Sequence, residues 1–354
     1  MRSLGVFALV VMASCSAADP SAVEVDATEV APTDSTGSMD DGPKADGRGL
    51  PVVTCAGTPR TGPPGAWRHS VLRYLATGAG SPNHRGLDLL TGAGAAVQHL
   101  AGEVRYGLTD KSLEDEQVEL FACRAGAWQR VGSALTDKEG RFDLALRGAA
   151  RLPIGRRPLY LSVVGDRSGA AFVAVVAPDA SAIVVSDMDG TLIDGENTFA
   201  TSLVTGAAVA PRPGAVAALK TLASKGYLVV YMSSRGRLLQ ERSRRWLIDS
   251  GFPAGVVRHA ASAVTLPGTA TTDYKATTLA ALLSSGLAPA IGFGNRATDA
   301  AAYLRASIER SQIFLQNSEY ADENRPVIAR GDAVGFESYL DLTATTLRSL
   351  PPAP

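Results

Sequence analysis

Ile183-Val184-Val185-Ser186-Asp187-Met188-Asp189-Gly190-Thr191-Leu192 organises the whole chain. A β-branched apolar run leads straight into two carboxylates separated by one residue, then a glycine and a hydroxyl. In an extended backbone residues i and i+2 point the same way, so Asp187 and Asp189 project together from the end of a buried strand. Open α/β sheets place their ligands at the C-terminal edge of such strands. Like charges held that close repel unless a cation or a shared proton lies between them. An EF-hand calcium loop also opens Asp-x-Asp, but it needs glycine at its sixth place and glutamate at its twelfth. Counted from Asp187, those places hold Leu192 and Thr198. A solvated Asp-Gly turn needs no apolar strand aimed into it. Chemistry is the better reason for the pair.

Three further segments follow in order. Tyr227 to Met232 reads as a second buried strand, ending in Ser233-Ser234-Arg235-Gly236. Lys275, in Thr272-Asp273-Tyr274-Lys275, opens a helix rich in alanine and leucine. Ile291-Gly292-Phe293-Gly294-Asn295-Arg296-Ala297-Thr298-Asp299 reads as strand, tight turn and helix start. With the first segment, these resemble the four motifs of the haloacid dehalogenase (HAD) superfamily of phosphohydrolases. Within it they are similar to the LNS2 group, which includes lipin phosphatidate phosphatases and the C-terminal regions of phosphatidylinositol-transfer proteins. Ser233-Ser234-Arg235 and Gly294-Asn295-Arg296 are lipin-like, whereas Gly251 to Val257 resembles the transfer-protein form. The resemblance spans about residues 180 to 318. Upstream, Gly102 to Gly107 and Asp110 to Leu113 resemble the β-domain that precedes this module in bacterial relatives.

The resemblance implies a magnesium-dependent phosphomonoesterase acting on phosphatidate or a related lipid phosphate. Asp187 would be the nucleophile that forms an aspartyl-phosphate, and Asp189 the general acid and base. Thr191, Ser233, Ser234 and Lys275 would hold phosphoryl oxygens. Mg2+ would sit on the Asp187 carboxylate, the Asp189 carbonyl and Asn295, with Asp299 placing Lys275 or serving as the alternative ligand. Asparagine at 295, where many members carry aspartate, leaves Asn295 and Asp299 competing as direct ligand. Structural alternatives exist at each place: Ser233 as a helix cap, Lys275 as a solvated cation, Asp299 as a first-turn acid. Two other readings of function remain: an uncapped phosphatase of protein or soluble phosphates, and a non-catalytic lipid-phosphate binder. Retention of Asp189 favours catalysis, since binding alone needs no general acid.

Spacing excludes a lid. The gaps from Thr191 to Tyr227 and from Ser233 to Lys275 hold a helix around Pro213 to Ser224, an arginine-rich helix, a short strand at Val256 to His259, and loops. A separate folded domain needs about 50 residues or more. An open site admits a phosphate presented on a large body. Arg235, Arg237, Arg242, Arg244 and Arg245 follow the second motif, interleaved with Leu238, Leu239, Trp246 and Leu247. They read either as the solvated side of an amphipathic helix or as a face that draws anionic headgroups.

The formal charge of -1 gives no field that would collect nucleic acid. Met1-Arg2, apolar Leu4 to Met12 and Ala13-Ser14-Cys15 read as a signal peptide, too short to span a bilayer. Its small residues before cysteine resemble a bacterial lipoprotein site, with Cys15 lipidated and the protein anchored in a bacterial envelope. An ordinary cleavage after Cys15 or Ala17 is the other possibility. Setting Cys15 aside leaves Cys55 and Cys123, either disulfide-bonded or two buried thiols. Residues 16 to 60, poor in apolar side chains over most of their length, read as a flexible tether.

From about 97 to 178 the period is two: Val118/Leu120/Ala122 and Phe142/Leu144/Leu146 alternate with polar residues, and Thr136 to Gly140 supplies a turn. Leu159 to Val164 and Ala171 to Val176 add strands. His69, His84 and His99 lack metal-ligand spacing and read as structural. A last helix is expected near 335 to 348. The expected fold is therefore a small all-β sandwich (61–178) followed by an α/β, doubly wound parallel sheet without a cap (179–350). The partner is an anionic phospholipid or membrane surface, and nothing in the chain speaks to oligomeric state.

Overall fold

The computed structural model describes residues 49–195, 198–262 and 268–354. The signal segment, Cys15 and most of the tether lie outside the described residues.

The β region is built from a three-stranded sheet (Arg85–Gly86, Val97–Glu103, Arg141–Arg147) and a five-stranded sheet. The latter holds Leu89–Gly92, Gly169–Ala177, Gly155–Val163, Gln117–Arg124 and Ala127–Leu135, in that spatial order. The period-two residues face inward: Val118, Leu120, Ala122, Phe142 and Leu146 share one core with Leu159, Leu161 and Val163. At the turn, the Asp137 carboxylate accepts the Glu139 and Arg141 N–H groups. Residues 50–55 depart from the expected tether. Leu50 is buried, Val53 and Arg156 exchange backbone contacts with their neighbours across the sheet edge, and Cys55 is disulfide-bonded to Cys123 with Cα atoms 5.9 Å apart.

The α/β region runs β1 (Ala182–Asp187), α1 (Thr198–Thr205), α2 (Ala215–Ser224), β2 (Leu228–Gly236), α3 (Gln240–Asp249), β3 (Gly255–Ala260) and α4 (Gly268–Ser284). It continues with β4 (Ala288–Gly294), α5 (Ala297–Arg305), β5 (Ile313–Gln316), α6 (Ala321–Ala329), β6 (Val334–Phe336) and α7 (Tyr339–Leu342). The six strands are parallel in the order β3-β2-β1-β4-β5-β6. β1 is buried along its whole length, as a central parallel strand covered on both faces must be. Ile183 and Val185 face one core with Leu279 and Tyr303; Val184 faces the other with Leu219 and Phe293. The chain reverses its direction of winding between β1 and β4, so the crevice at their C-terminal ends is where a ligand site belongs.

The sheet is doubly wound, and no cap domain stands over it among the described residues. The first gap holds one more helix than expected, α1. Several local expectations change. β2 runs on through Ser233 to Gly236 instead of stopping at Met232, so Ser233 is a strand residue and not a helix cap. Lys275 is buried in the interior of α4, not at its start; the helix begins upstream, where Thr272 is buried and donates to the Thr298 carbonyl at 3.2 Å. The helix expected at 335 to 348 is instead the edge strand β6, a Ser338-capped turn of helix and a π-helical turn.

The arginine-rich segment is amphipathic, with Arg242 and Arg245 exposed and Trp246 and Leu247 buried, but its other arginines face protein and not water. Arg244 pairs with the buried Asp88 of the β region at 2.9 and 3.0 Å, and Arg237 pairs with Glu103 at 2.8 Å. Arg235 is not on the helix at all. Only Arg242 and Arg245 of the five are exposed. The basic residues fasten the α/β region to the sandwich, and Leu50, Leu90, Val175 and Ala177 extend that contact into one of the two sheet cores.

Candidate active site

Asp187 ends β1 almost fully buried. Thr191 Oγ1 donates to its Oδ2 at 3.1 Å, and Lys275 Nζ donates to its Oδ1 at 2.5 Å. The same ammonium donates to Asp299 Oδ1 at 2.5 Å. Asp299 Oδ2 in turn accepts the N–H groups of Asn295 and Arg296 at 3.0 and 3.1 Å, closing the first turn of α5. Gly294 makes this possible, because a Cβ there would meet the Asp299 Cβ at 2.4 Å.

Asp189 lies beyond the strand end. Its Oδ2 accepts Ser233 Oγ at 3.0 Å and Arg235 Nε at 2.7 Å. Alternation along β2 puts residues 233 and 235 on one side. Ser234, between them, takes part in none of these bonds among the described residues. The Arg235 guanidinium is buried and lies 3.7 Å over the Phe199 ring of α1.

Asn295 is buried beside Asp187. Among the described residues its Oδ1 receives only a 3.4 Å bond from Thr191, and its Nδ2 has no partner. Gly190 has φ +69°, and a Cβ there would fall 2.0 Å from that Nδ2, so the loop after β1 can close over Asn295 only as glycine.

The charges do not balance. Asp187, Asp189 and Asp299 face Lys275 and Arg235, which leaves a net negative charge at a buried position. Burial pushes the Asp187 carboxyl up to about 7; Lys275 opposes the rise, while Asp299 and Asp189 add to it. Burial works against the Lys275 ammonium, but Asp187 and Asp299 overcome it and hold the group well above its usual range. A cluster that retains protons in this way is short of positive charge.

The donors suit a hard divalent cation: one carboxylate, backbone oxygen from the Asp189 segment, and an under-used amide oxygen. Asp299 is a poorer donor than Asp187, because its two oxygens accept three hydrogen bonds, from Lys275 and two backbone N–H groups, against two at Asp187. Among the described residues no group of three or more His, Cys, Asp or Glu side chains is placed to hold a metal. Magnesium, which keeps several waters, needs no such group. His69, His84 and His99 lie apart from one another and bond to Asp115, Ser168 and Asp143.

Three supporting residues were not legible beforehand. Arg235 clamps Asp189, and period-two spacing from Ser233 was its available signal. Arg212 donates to the Gly190 carbonyl at 3.0 Å and to Ser318 at 2.9 Å. Asn324 donates to the Asn295 carbonyl at 2.9 Å. The last two come from distant loops and helices with no pattern to mark them.

The matches to known proteins fall on the same two regions. Residues 184–317 match the family described as the LNS2 domain of PITM 1-3, and residues 82–176 match the PITM 1-3 beta-sandwich domain. Protein retinal degeneration B of Drosophila melanogaster is 29% identical over 239 residues, 66% of this chain and 18% of that protein. Human membrane-associated phosphatidylinositol transfer protein 1 is 32% identical over 180 residues, 49% of this chain and 14% of that protein. The chain thus spans only 14% to 18% of the length of these curated relatives. Among solved structures, one described as a phospho-aspartyl intermediate analogue of phosphoserine phosphatase aligns with a TM-score of 0.31 at 12% identity, covering 47% of this chain and 98% of that one.

Proposed function

We propose that the chain is a magnesium-dependent phosphomonoester hydrolase acting through an aspartyl-phosphate, with phosphatidate or a related lipid phosphate as substrate. The observation that carries this reading is the buried, electron-rich Asp187, held between Lys275 and Thr191, with the Asp189 carboxylate near enough to raise it further. In the first step an Asp187 oxygen attacks phosphorus, the ester P–O bond breaks, and the Asp189 proton goes to the departing alkoxide. In the second, Asp189 takes a proton from water as its oxygen attacks the phosphoaspartate, releasing phosphate and regenerating Asp187. Lys275 stays protonated throughout and neutralises phosphoryl charge. Ser233 and Arg235 fix Asp189 until the incoming dianion competes for the guanidinium. Asp187, the Asp189 carbonyl and Asn295 would hold Mg2+, with Asp299 orienting Lys275. When bound, the metal supplies charge neutralisation and orients the phosphoryl group. The absence of a cap leaves the edge open to a headgroup held in a bilayer. No helix of the described residues is long and apolar enough to cross a membrane, and attachment through a lipidated Cys15 to a bacterial envelope would supply the anchor.

The test is phosphate release from short-chain phosphatidate, lysophosphatidate and a phosphopeptide, with magnesium or with chelator, beside Asp187→Asn. Magnesium-dependent turnover of the two lipids, lost in the variant, is the expected result; turnover of the peptide alone would remove the lipid substrate. A second reading is favoured by the relatives' names, which are those of transfer proteins. It is that the site binds a lipid phosphate without hydrolysing it. Phosphatidate binding without any turnover would select it.

A further inference from the structure

Helix Ser70–Thr77 (Ser-Val-Leu-Arg-Tyr-Leu-Ala-Thr) is turned the wrong way for a soluble protein. Its inner face is small, with Ala76 fully buried, while Val71, Tyr74 and Leu75 stand 70%, 64% and 59% exposed. These three occupy i, i+3 and i+4, so they form one apolar stripe along the outside. The helix packs on the small hairpin of Arg105–Tyr106 and Lys111–Ser112. At the tip of that hairpin Leu108 is 99% exposed. Isolated exposed leucines need no explanation, but four large apolar side chains on neighbouring protrusions do.

Most carboxylates around the stripe are already engaged. Asp110 is taken by Arg85 at 2.7 Å, Asp115 by Arg68 and His69, Glu103 by Arg85 and Arg237, and Glu116 by the Arg68 and His69 N–H groups, while half-buried Glu114 has no cation partner among the described residues. Arg73 lies over the rings of Trp67 and Tyr74, and neither it nor exposed Lys111 has a carboxylate partner among the described residues. The position also has meaning. A cavity of about 220 Å³ is lined jointly by Arg105, Thr109 and Asp110 of the hairpin and by Arg237, Leu238 and Ala261, which follow β2 and β3. The hairpin that carries Leu108 therefore reaches the loops that follow β2 and β3, at the C-terminal edge of the sheet.

We propose that this edge is a bilayer-docking surface: Val71, Tyr74, Leu75 and Leu108 enter the interfacial layer of an anionic membrane, with Arg73 and Lys111 against its headgroups. An apolar stripe bordered by cations, with tyrosine and tryptophan at its margin, is the chemistry of an interfacial helix. A fluid layer also accepts separate protrusions, whereas a protein partner requires matching relief. The inference rests on the lipid-phosphate reading for its purpose, but its test requires no turnover.

Full-length protein carrying Cys15→Ser, so that no acyl chain contributes, is floated with vesicles of phosphatidylcholine alone or with added phosphatidylglycerol. The expected result is flotation with the anionic vesicles that weakens as salt is raised. The combined variant Val71→Ser, Tyr74→Ser, Leu75→Ser, Leu108→Ser should lose about tenfold or more in partitioning. It should hydrolyse para-nitrophenyl phosphate at the parent's rate. Leu108→Trp, a milder variant, should shift its emission to the blue on vesicle addition. Equal flotation of the parent and the combined variant would overturn the proposal. So would a parent that stays unbound and whose light scattering falls from dimer to monomer in the variant, which would make the patch a self-association face. Loss of flotation in a protein without any phosphatase activity would keep the docking surface and remove the enzymatic reading alone.

Discussion

Two buried clusters of charge in this molecule are built alike and balanced differently. Where the sandwich meets the α/β region, Asp88 is fully enclosed. It accepts Arg244 twice, and the Val173 and Val257 N–H groups at 3.0 Å each. Here positive charge is not short: Arg244 meets Asp88 and lies 3.4 Å from Glu241, buried Arg258 adds a second cation near Asp88, and backbone donors take the remaining carboxylate lone pairs. At the edge of the parallel sheet three carboxylates meet two cations, an amide nitrogen of Asn295 goes unpartnered, and Asp187 is driven toward its neutral form. A cluster complete in itself holds structure together. One that is incomplete by roughly a cation stores a cost that a ligand can relieve, as functional sites do. The contrast gives each cluster a different response to the same kind of substitution.

Removing charge from the incomplete cluster should destroy activity and strengthen the fold. Asp187→Asn removes the proposed nucleophile, so turnover should fall by about 10⁴-fold or more. The metal-free variant should nonetheless melt higher than the parent, because Lys275 keeps Asp299 and the surplus negative charge is gone. Melting curves in chelator, beside the turnover assay, check both; a lower melting temperature would mean that the cluster is balanced after all. At the complete cluster the same operation should do the reverse. Asp88→Ala strands the Arg244 guanidinium and two N–H groups, which should cost about 3–5 kcal/mol of stability. Activity per folded molecule should be unchanged. Denaturant unfolding with activity titrated against folded fraction distinguishes this from a coupling between the two regions.

Arg235 sharpens the comparison, because it belongs to the incomplete cluster yet has a carboxylate to itself. If it only fills space beside Phe199, Arg235→Lys should be silent. If it holds Asp189 in line with the leaving oxygen, the shorter, non-planar ammonium should lower kcat by about 10- to 100-fold with KM little changed. The effect should be larger for leaving groups that are poor unless protonated than for para-nitrophenol, which leaves without help.

What could be read from the residues was whatever obeys a period or sits at a strand end. β1 with Asp187 and Asp189, the alternating sandwich strands, and the lack of room for a lid all follow from local pattern. Lys275 was found by its order among the motifs, but its placement at a helix start failed. Thr272 and Lys275 are drawn inward by contacts with the strand ends and α5, and those tertiary contacts extend the helix over residues of weak propensity. Arg237 and Arg244 were misplaced for a similar reason: a helical pattern shows which residues are polar but not that Glu103 and Asp88, well over a hundred residues earlier, are waiting for them. The outward apolar helix at Ser70–Thr77 went unseen because its pattern is the ordinary amphipathic one, and only the structure shows which side faces out.

The pH dependence of stability carries the comparison to its last step. In chelator the folded Asp187 value of about 7 lies above that of a carboxylate in the unfolded chain, about 4. The folded state therefore binds the extra proton between those limits, and stability from this group falls as pH rises through the window, flattening above it. Asp187→Asn has no such proton, so its stability advantage over the parent should be near zero at the acid end. It should grow as pH rises toward neutral and then level off. Magnesium takes the place of the proton, so adding it to the parent should raise the melting temperature more at pH 8 than at pH 5, and should do little for the variant at either. The Asp88 cluster predicts no comparable metal effect, and an Asp88→Ala protein should keep the parent's magnesium shift while melting lower throughout. If the magnesium shift is instead flat across pH, proton and metal do not compete for Asp187, and the incomplete cluster is incomplete for some other reason.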